Sequence, residues 1–196
     1  MARNRNDLTR ELSGIKALAE DESGNSFELS FSSEEPYTRW FGTEIMDHSE
    51  GAADLSRLND IGCVLFNHDR DAVLAKIDRA WIEEGRGKAV ITFDDDELAA
   101  KIKKKIESGT LKGVSVSYAV DNWESVAAGK ASTDGRFQGP CEIARKWTAY
   151  EISVVSVPAD PTVGIGRQHN DQGTQLSLDL YEKQLNINKN YFGGVL

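Results

Sequence analysis

The chain has 196 residues, 39% hydrophobic and 28% charged, which is enough for one well-packed domain with tails in ordinary soluble proportions. A formal net charge of −9 argues against a nucleic-acid partner, because phosphate binding needs Lys and Arg concentrated on one surface. No apolar stretch nears the roughly 18 residues that span a bilayer, so no membrane partner is expected.

Residues 1–25 are polar and read as a flexible N-terminal segment. Met1-Ala2-Arg3-Asn4-Arg5 runs into Asp7, Arg10 and Glu11 rather than an apolar core, so it is not a secretory signal and the cytosol is the default location. Ser26 to Ser32 alternates, with Phe27, Leu29 and Phe31 on one face, as a half-buried strand does. A second strand is expected from Thr38 to Ile45, after Pro36. Ala52 to Leu58 reads as a short helix, and Gly62 to Phe66 as a strand buried on both faces.

Val73 to Trp81 and Lys88 to Phe93 read as a hairpin joined by Glu83-Glu84-Gly85-Arg86-Gly87. Asp94-Asp95-Asp96 then opens the clearest helix, with Gly109 as its stop and Leu98, Ile102 and Ile106 facing the core. Lys101 to Lys105, the one basic cluster, falls on that helix and reads as a solvated face. Gly113 to Val120 and Tyr150 to Val157 are strand-like. Glu124 to Pro140 between them reads as a long mobile loop. The domain is drawn from 26 to 167 and a polar tail from 168 to 196. Many strands with one good helix predict a mainly β chain with helices, as a barrel or a sandwich.

Three of these strands each offer one member of a Ser-His-carboxylate set, which is recognised by geometry and not by chain order. His68 stands just after a buried strand, at the start of a polar turn, where an imidazole suits a general base. The bland alternative is a structural histidine held by Asn67 or Asp69. Ser115 and Ser117 share one strand face, and spacing does not choose between them. Glu151 heads an apolar strand, where an unpartnered carboxylate is costly. It either pairs with a lysine or arginine at the rim or orients His68.

Other chemistries fare worse. There is no H-E-x-x-H, C-x-x-C pair, Walker loop or dinucleotide fingerprint, and His48, His68 and His169 stand singly. Asp69-Arg70-Asp71 lacks the ligand count of a calcium loop. Cys63 and Cys141 form no disulfide framework in a reducing compartment. Cys63 reads as a small buried hydrophobe, and nothing beside Cys141 would lower its pKa.

At these residues the chain resembles the prohead (capsid maturation) proteases of tailed bacteriophages, the HK97-like group. The matching blocks are Arg39 to Ser49, Leu65-Phe66-Asn67-His68-Asp69, Gly113-Val114-Ser115-Val116 and Tyr150 to Pro161, in the family's order, over roughly residues 26 to 167. The resemblance implies a serine endopeptidase with a β-barrel ringed by helices, related to the herpesvirus assembly proteases. It matches His68, Ser115 and Glu151 to the family's catalytic positions and implies no cofactor. This chain has Ser117 where relatives commonly carry Gly, which keeps Ser117 as the alternative nucleophile.

The implied substrates are the phage major capsid protein's scaffolding segment and scaffold, and the protease itself, inside the prohead in the host cytoplasm. Related viral assembly proteases are activated by dimerisation, so a homo-oligomer is compatible with the resemblance, although no stretch of this chain marks an interface. Some relatives are fused to the capsid protein, so the tail after Arg167 reads as an autocleavage end or part of a longer polyprotein. Two rival classes are a non-catalytic scaffold or capsid-assembly module on the same fold and a β-barrel binding protein with Glu124 to Pro140 at its mouth.

Overall fold

The computed structural model describes residues 8–13, 15–17 and 24–157. The tail from 168 to 196, with His169, lies outside the described residues. The strands are β1 (Leu8–Ser13), β2 (Ile15–Ala17), β3 (Ser26–Ser33), β4 (Tyr37–Arg39), β5 (Gly42–Met46), β6 (Ala53–Asp54), β7 (Cys63–Phe66), β8 (Asp69–Glu83), β9 (Arg86–Phe93), β10 (Gly113–Val126) and β11 (Cys141–Val155). Two helices interrupt them, α1 (Ser56–Ile61) and α2 (Glu97–Glu107). The expectation of a mainly β chain with helices is met.

The strands of the described residues join one mixed sheet, eight of them along the path β1-β10-β11-β7-β8-β9-β3-β2, with β5 and β6 attached beside it to β11 and β4 to β5. Among the described residues no ladder joins the two ends of that path, so the pairing itself draws no closed barrel, and two helices do not form a ring. β11 organises the sheet. It pairs antiparallel with β10 and parallel with β5, β6 and β7.

The alternation read in β3 is real: Phe27, Leu29 and Phe31 are buried, and Phe27 meets Phe93 edge to face at 5.3 Å. In α2, Asp96 caps the N-terminus by accepting from the backbone of Leu98 and Ala99, a cap that stabilises by about 1 kcal/mol. Ala99, Ile102 and Ile106 are its buried residues. Ala99 thus takes the central place expected of Leu98, which packs at the margin. Lys101 and Lys104 are exposed and Lys105 half-buried, and the last two sit in the final turn where cations suit the helix dipole.

Four expectations are revised. The short helix falls on Ser56–Ile61 rather than Ala52 to Leu58, because Ala53–Asp54 is drawn into a parallel bridge with Trp147 and Thr148. The strand expected from Thr38 to Ile45 is a tight hairpin, β4 and β5, turning at Trp40 and Phe41. Within the polar segment read as flexible, β1 pairs with β10 and β2 with β3. Their neighbours' ladders hold these strands, and Ile15 of β2 is buried in the core.

The fourth concerns the loop from Glu124 to Pro140. β10 runs on to Val126 and β11 begins at Cys141, so the connection is shorter. An isolated bridge between Ala131 and Gln138 crosses it, and Arg136 fastens it to Glu34 and Asp47. Composition registered its polarity, whereas distant carboxylates supply the anchors.

Candidate active site

β10 and β11 build one wall of the site. Their antiparallel register sets Ser115 opposite Ser153 and Ser117 opposite Glu151. Because side chains alternate with period two, these four polar residues share one face of the sheet. Beside them the register shifts, Tyr118 pairing with Ala149 and leaving Tyr150 extra on β11. Such bulges re-aim neighbouring side chains and are frequent beside active sites.

His68 comes from the adjoining hairpin. Phe66 pairs with Asp69, and the two residues between, Asn67 and His68, have φ of +52° and +61°. Both in the left-handed region is the pattern of a type I′ turn, which matches strand twist. Asn tolerates it well, while His adopts it less often. The turn is therefore Asn67-His68 itself, and Asp69 to Asp71, expected as the turn, begin β8 instead. The Asn67 N–H donates to Val154 O at 2.9 Å, and Asn67 Oδ1 accepts from the Ser156 N–H at 2.8 Å. Asn67 thus shapes the turn that carries the imidazole.

The structure brings His68, Ser115 and Glu151 together. His68 Nε2 lies 2.9 Å from Ser115 Oγ, and Nδ1 lies 2.9 Å from Glu151 Oε2. Ser117 sits on the other side of the ring, 3.4 Å from Nδ1, and donates to Glu151 Oε2 at 2.8 Å. Glu151 Oε1 accepts from the Ser153 hydroxyl, which in turn accepts from the His68 backbone N–H at 3.1 Å. Glu151 therefore does not take the rim pairing with lysine or arginine; its carboxylate bonds instead to His68, Ser117 and Ser153.

Burial grades across the group. Ser115 and Ser153 are wholly buried, while the side chains of Glu151 and His68 are 15% and 30% exposed. Burial pushes the Glu151 carboxyl upward, but bonds from His68, Ser153 and Ser117 outweigh it and hold the group below the usual carboxylate range. An imidazole in contact with a hydroxyl at one nitrogen and an ionised carboxylate at the other can accept the hydroxyl proton and be stabilised as the cation.

The remaining candidates lie elsewhere. His48 is buried, its Nε2 2.7 Å from Ser32 Oγ and its Nδ1 2.9 Å from Met46 O. Cys63 is half-buried and Cys141 buried, and burial is the main reason both thiols are pushed up rather than activated. No cluster of three or more His, Cys, Asp or Glu among the described residues has the form of a metal site. Sequence reasoning missed Ser153, although the period-two pairing of Glu151 with Ser153 mirrors that of Ser115 with Ser117.

Comparison with known proteins bears on the same residues. A family model described as caudovirus prohead serine protease matches residues 41–175, a span that includes His68, Ser115 and Glu151. A major capsid protein of Halomonas phage phiHAP-1 is 37% identical over 150 residues, which is 74% of this chain and 24% of that protein. The chain therefore spans less than two thirds of the length of this curated relative. The structure of the bacteriophage T4 capsid assembly protease, gp21, aligns with a TM-score of 0.49 at 10% identity, covering 78% of this chain and 98% of that one.

Proposed function

The chain belongs to the caudovirus prohead serine protease family, and from that premise we propose that it is an endopeptidase in which Ser115 is the nucleophile, His68 the general base and Glu151 the residue that orients His68. The observation that carries the reading is the position of the His68 ring, 2.9 Å from Ser115 Oγ at Nε2 and 2.9 Å from Glu151 Oε2 at Nδ1.

In the first step Ser115 Oγ attacks the scissile carbonyl carbon while its proton passes to His68 Nε2. Glu151, ionised because its hydrogen bonds overcome its burial, fixes the tautomer with the proton on Nδ1 and stabilises the imidazolium. Nε2 then gives its proton to the leaving amine as the C–N bond breaks. Water, deprotonated by the same nitrogen, hydrolyses the acyl-serine and restores the hydroxyl.

The substrates we infer are the scaffold and the scaffolding segment of the phage capsid protein, with self-cleavage besides, inside the prohead in the host cytoplasm. A relative that bears the name major capsid protein and contains a stretch matching this chain supports a capsid substrate joined to the protease in one polypeptide. Confinement of enzyme and substrate raises their effective concentration, so weak intrinsic affinity suffices. The protease domain is taken as residues 26–167. The family's barrel goes with this reading, supported by the packing of β1, at one end of the sheet path, against β3, next to its other end.

The test is co-expression with the capsid and scaffold proteins of its phage, comparing wild type with Ser115→Ala by intact mass. Discrete truncated products that disappear in Ser115→Ala are expected. Cleavage that persists in Ser115→Ala and stops in Ser117→Ala would move the nucleophile by two residues. No cleavage by wild type would favour a non-catalytic assembly module.

A further inference from the structure

Resting on that reading of the site, we propose that Ser153 is a positioning residue whose hydroxyl, bound at once to the His68 backbone and the Glu151 carboxylate, sets the geometry of the proton relay. Ser153 is wholly buried and lies opposite Ser115 in the β10–β11 register. A hydroxyl has one proton and two lone pairs. Here the proton goes to Glu151 Oε1 and a lone pair takes the His68 N–H at 3.1 Å.

Each contact fixes a different degree of freedom. Glu151 Oε2 holds His68 Nδ1 at 2.9 Å and the Ser117 hydroxyl at 2.8 Å, and the longer 3.2 Å contact of Nδ1 with Oε1 restrains tilting of the carboxylate about Oε2 only weakly. The bond from the Ser153 hydroxyl to Oε1 is the shorter restraint there and fixes the tilt. His68 meanwhile sits at φ +61°, a conformation that residues with a Cβ keep only where their surroundings hold them. Its N–H bond to Ser153 ties that residue to β11 on the site side. Ser153 thus joins the base and the carboxylate through one oxygen. Its proton faces the carboxylate and not Nε2, so it is not a second nucleophile.

The experiment uses the full chain and an alkyl fluorophosphonate. The Ser115 oxygen would bond to phosphorus, fluoride would leave and the hydroxyl proton would pass to His68 Nε2; intact mass gives the rate. The variants are Ser153→Ala, Ser153→Thr and Ser153→Val, with Ser115→Ala as control. Thr and Val have the same shape and differ in the hydroxyl. The downfield proton resonance of His68 Nδ1–H reports the clamp without any turnover.

We expect wild type to label and Ser115→Ala not to, Ser153→Ala and Ser153→Val to label about 10- to 100-fold more slowly, and Ser153→Thr to stay within about threefold of wild type. The Nδ1–H resonance should survive in Ser153→Thr and Ser115→Ala and be lost in Ser153→Ala and Ser153→Val. Labelling of Ser153→Ala at the wild-type rate, or equal slowing of Thr and Val, would overturn the proposal. If wild type does not label, the nucleophile assignment fails on its own. The resonance then decides the clamp: unchanged in Ser153→Ala overturns it, lost there and kept in Ser153→Thr supports it.

Discussion

Ser117 Oγ donates to Glu151 Oε2 at 2.8 Å, across the same register that sets Ser115 opposite Ser153. The two strand-mates that spacing left equivalent therefore stand on opposite sides of the His68 ring. Ser115 meets Nε2 at 2.9 Å, while Ser117 lies towards Nδ1, which Glu151 already occupies. A nucleophile needs the first position. Ser115→Ala should lower turnover of a capsid-derived peptide by more than about 1,000-fold, whereas Ser117→Ala should stay within about 10-fold of wild type. Parallel progress curves on the two variants check this, and the reverse ranking would make Ser117 the nucleophile.

Much of this was readable in the sequence because the strands announce themselves. Phe27, Leu29 and Phe31, the Asp96 cap and the apolar runs around His68, Ser115 and Glu151 are local signals, and the structure keeps all of them. What local pattern lacks is register. Nothing in β10 alone says that Ser115 rather than Ser117 meets Nε2, because that depends on the bulge at Tyr150 and on the turn that carries His68. Ser153 was hidden for the same reason, as one more serine in a strand until its partner strand is known. The strands β1 and β2 depend on the ladders of β10 and β3, and the connection after Val126 on the ion pairs of Arg136 with Glu34 and Asp47.

Glu151→Gln tests the carboxylate's two contributions together. An amide at this place loses the charge that stabilises imidazolium and offers Nδ1 an acceptor only in one flip. Turnover should fall by about 100- to 10,000-fold with the fold intact. Its folded pKa is depressed, so the stability it contributes is fully present above its ordinary value near 4.5 and is lost as pH falls through the lower folded value. Melting temperatures recorded from about pH 6 to pH 3 should fall more steeply for wild type than for Glu151→Gln. Equal slopes would mean that the carboxylate is not held as described.

Asn67 should matter to stability before it matters to chemistry. At φ +52° a residue with a plain Cβ costs about 1 kcal/mol or more, and the Oδ1 that accepts from Ser156 adds roughly another. Asn67→Ala should lose about 2 kcal/mol in urea unfolding. Asn67→Gly relieves the backbone cost and loses only the acceptor, so it should fall by about half as much. A Gly variant no better than Ala would show that the backbone conformation is not what Asn67 supplies.

Asp47 joins the connection after Val126 to the body of the sheet. Its carboxylate accepts from Arg136 Nη2 at 2.5 Å and Arg145 Nη1 at 2.7 Å, and from the Ser49 N–H at 2.8 Å. Arg145 also holds Glu124 and Asp134, so one network gathers β10, β11 and the turn between them. Burial pushes the Asp47 carboxyl up, but the bonds from Arg145, Ser49 and Arg136 prevail and lower it from 3.8 to about 2. The sign follows: this stability is complete above pH 3.8 and disappears as pH falls through about 2. Asp47→Asn leaves two guanidinium groups short of an anion and should cost about 2 to 4 kcal/mol at neutral pH. The gap to wild type should close on acidification over that window, because protonated Asp47 is also neutral. Limited proteolysis should cut the variant first between Val126 and Cys141, where Arg136 has lost one of its two anchors on the body of the sheet. Unchanged cleavage there would mean that the other carboxylates, Glu34 and Asp134, hold the connection without Asp47.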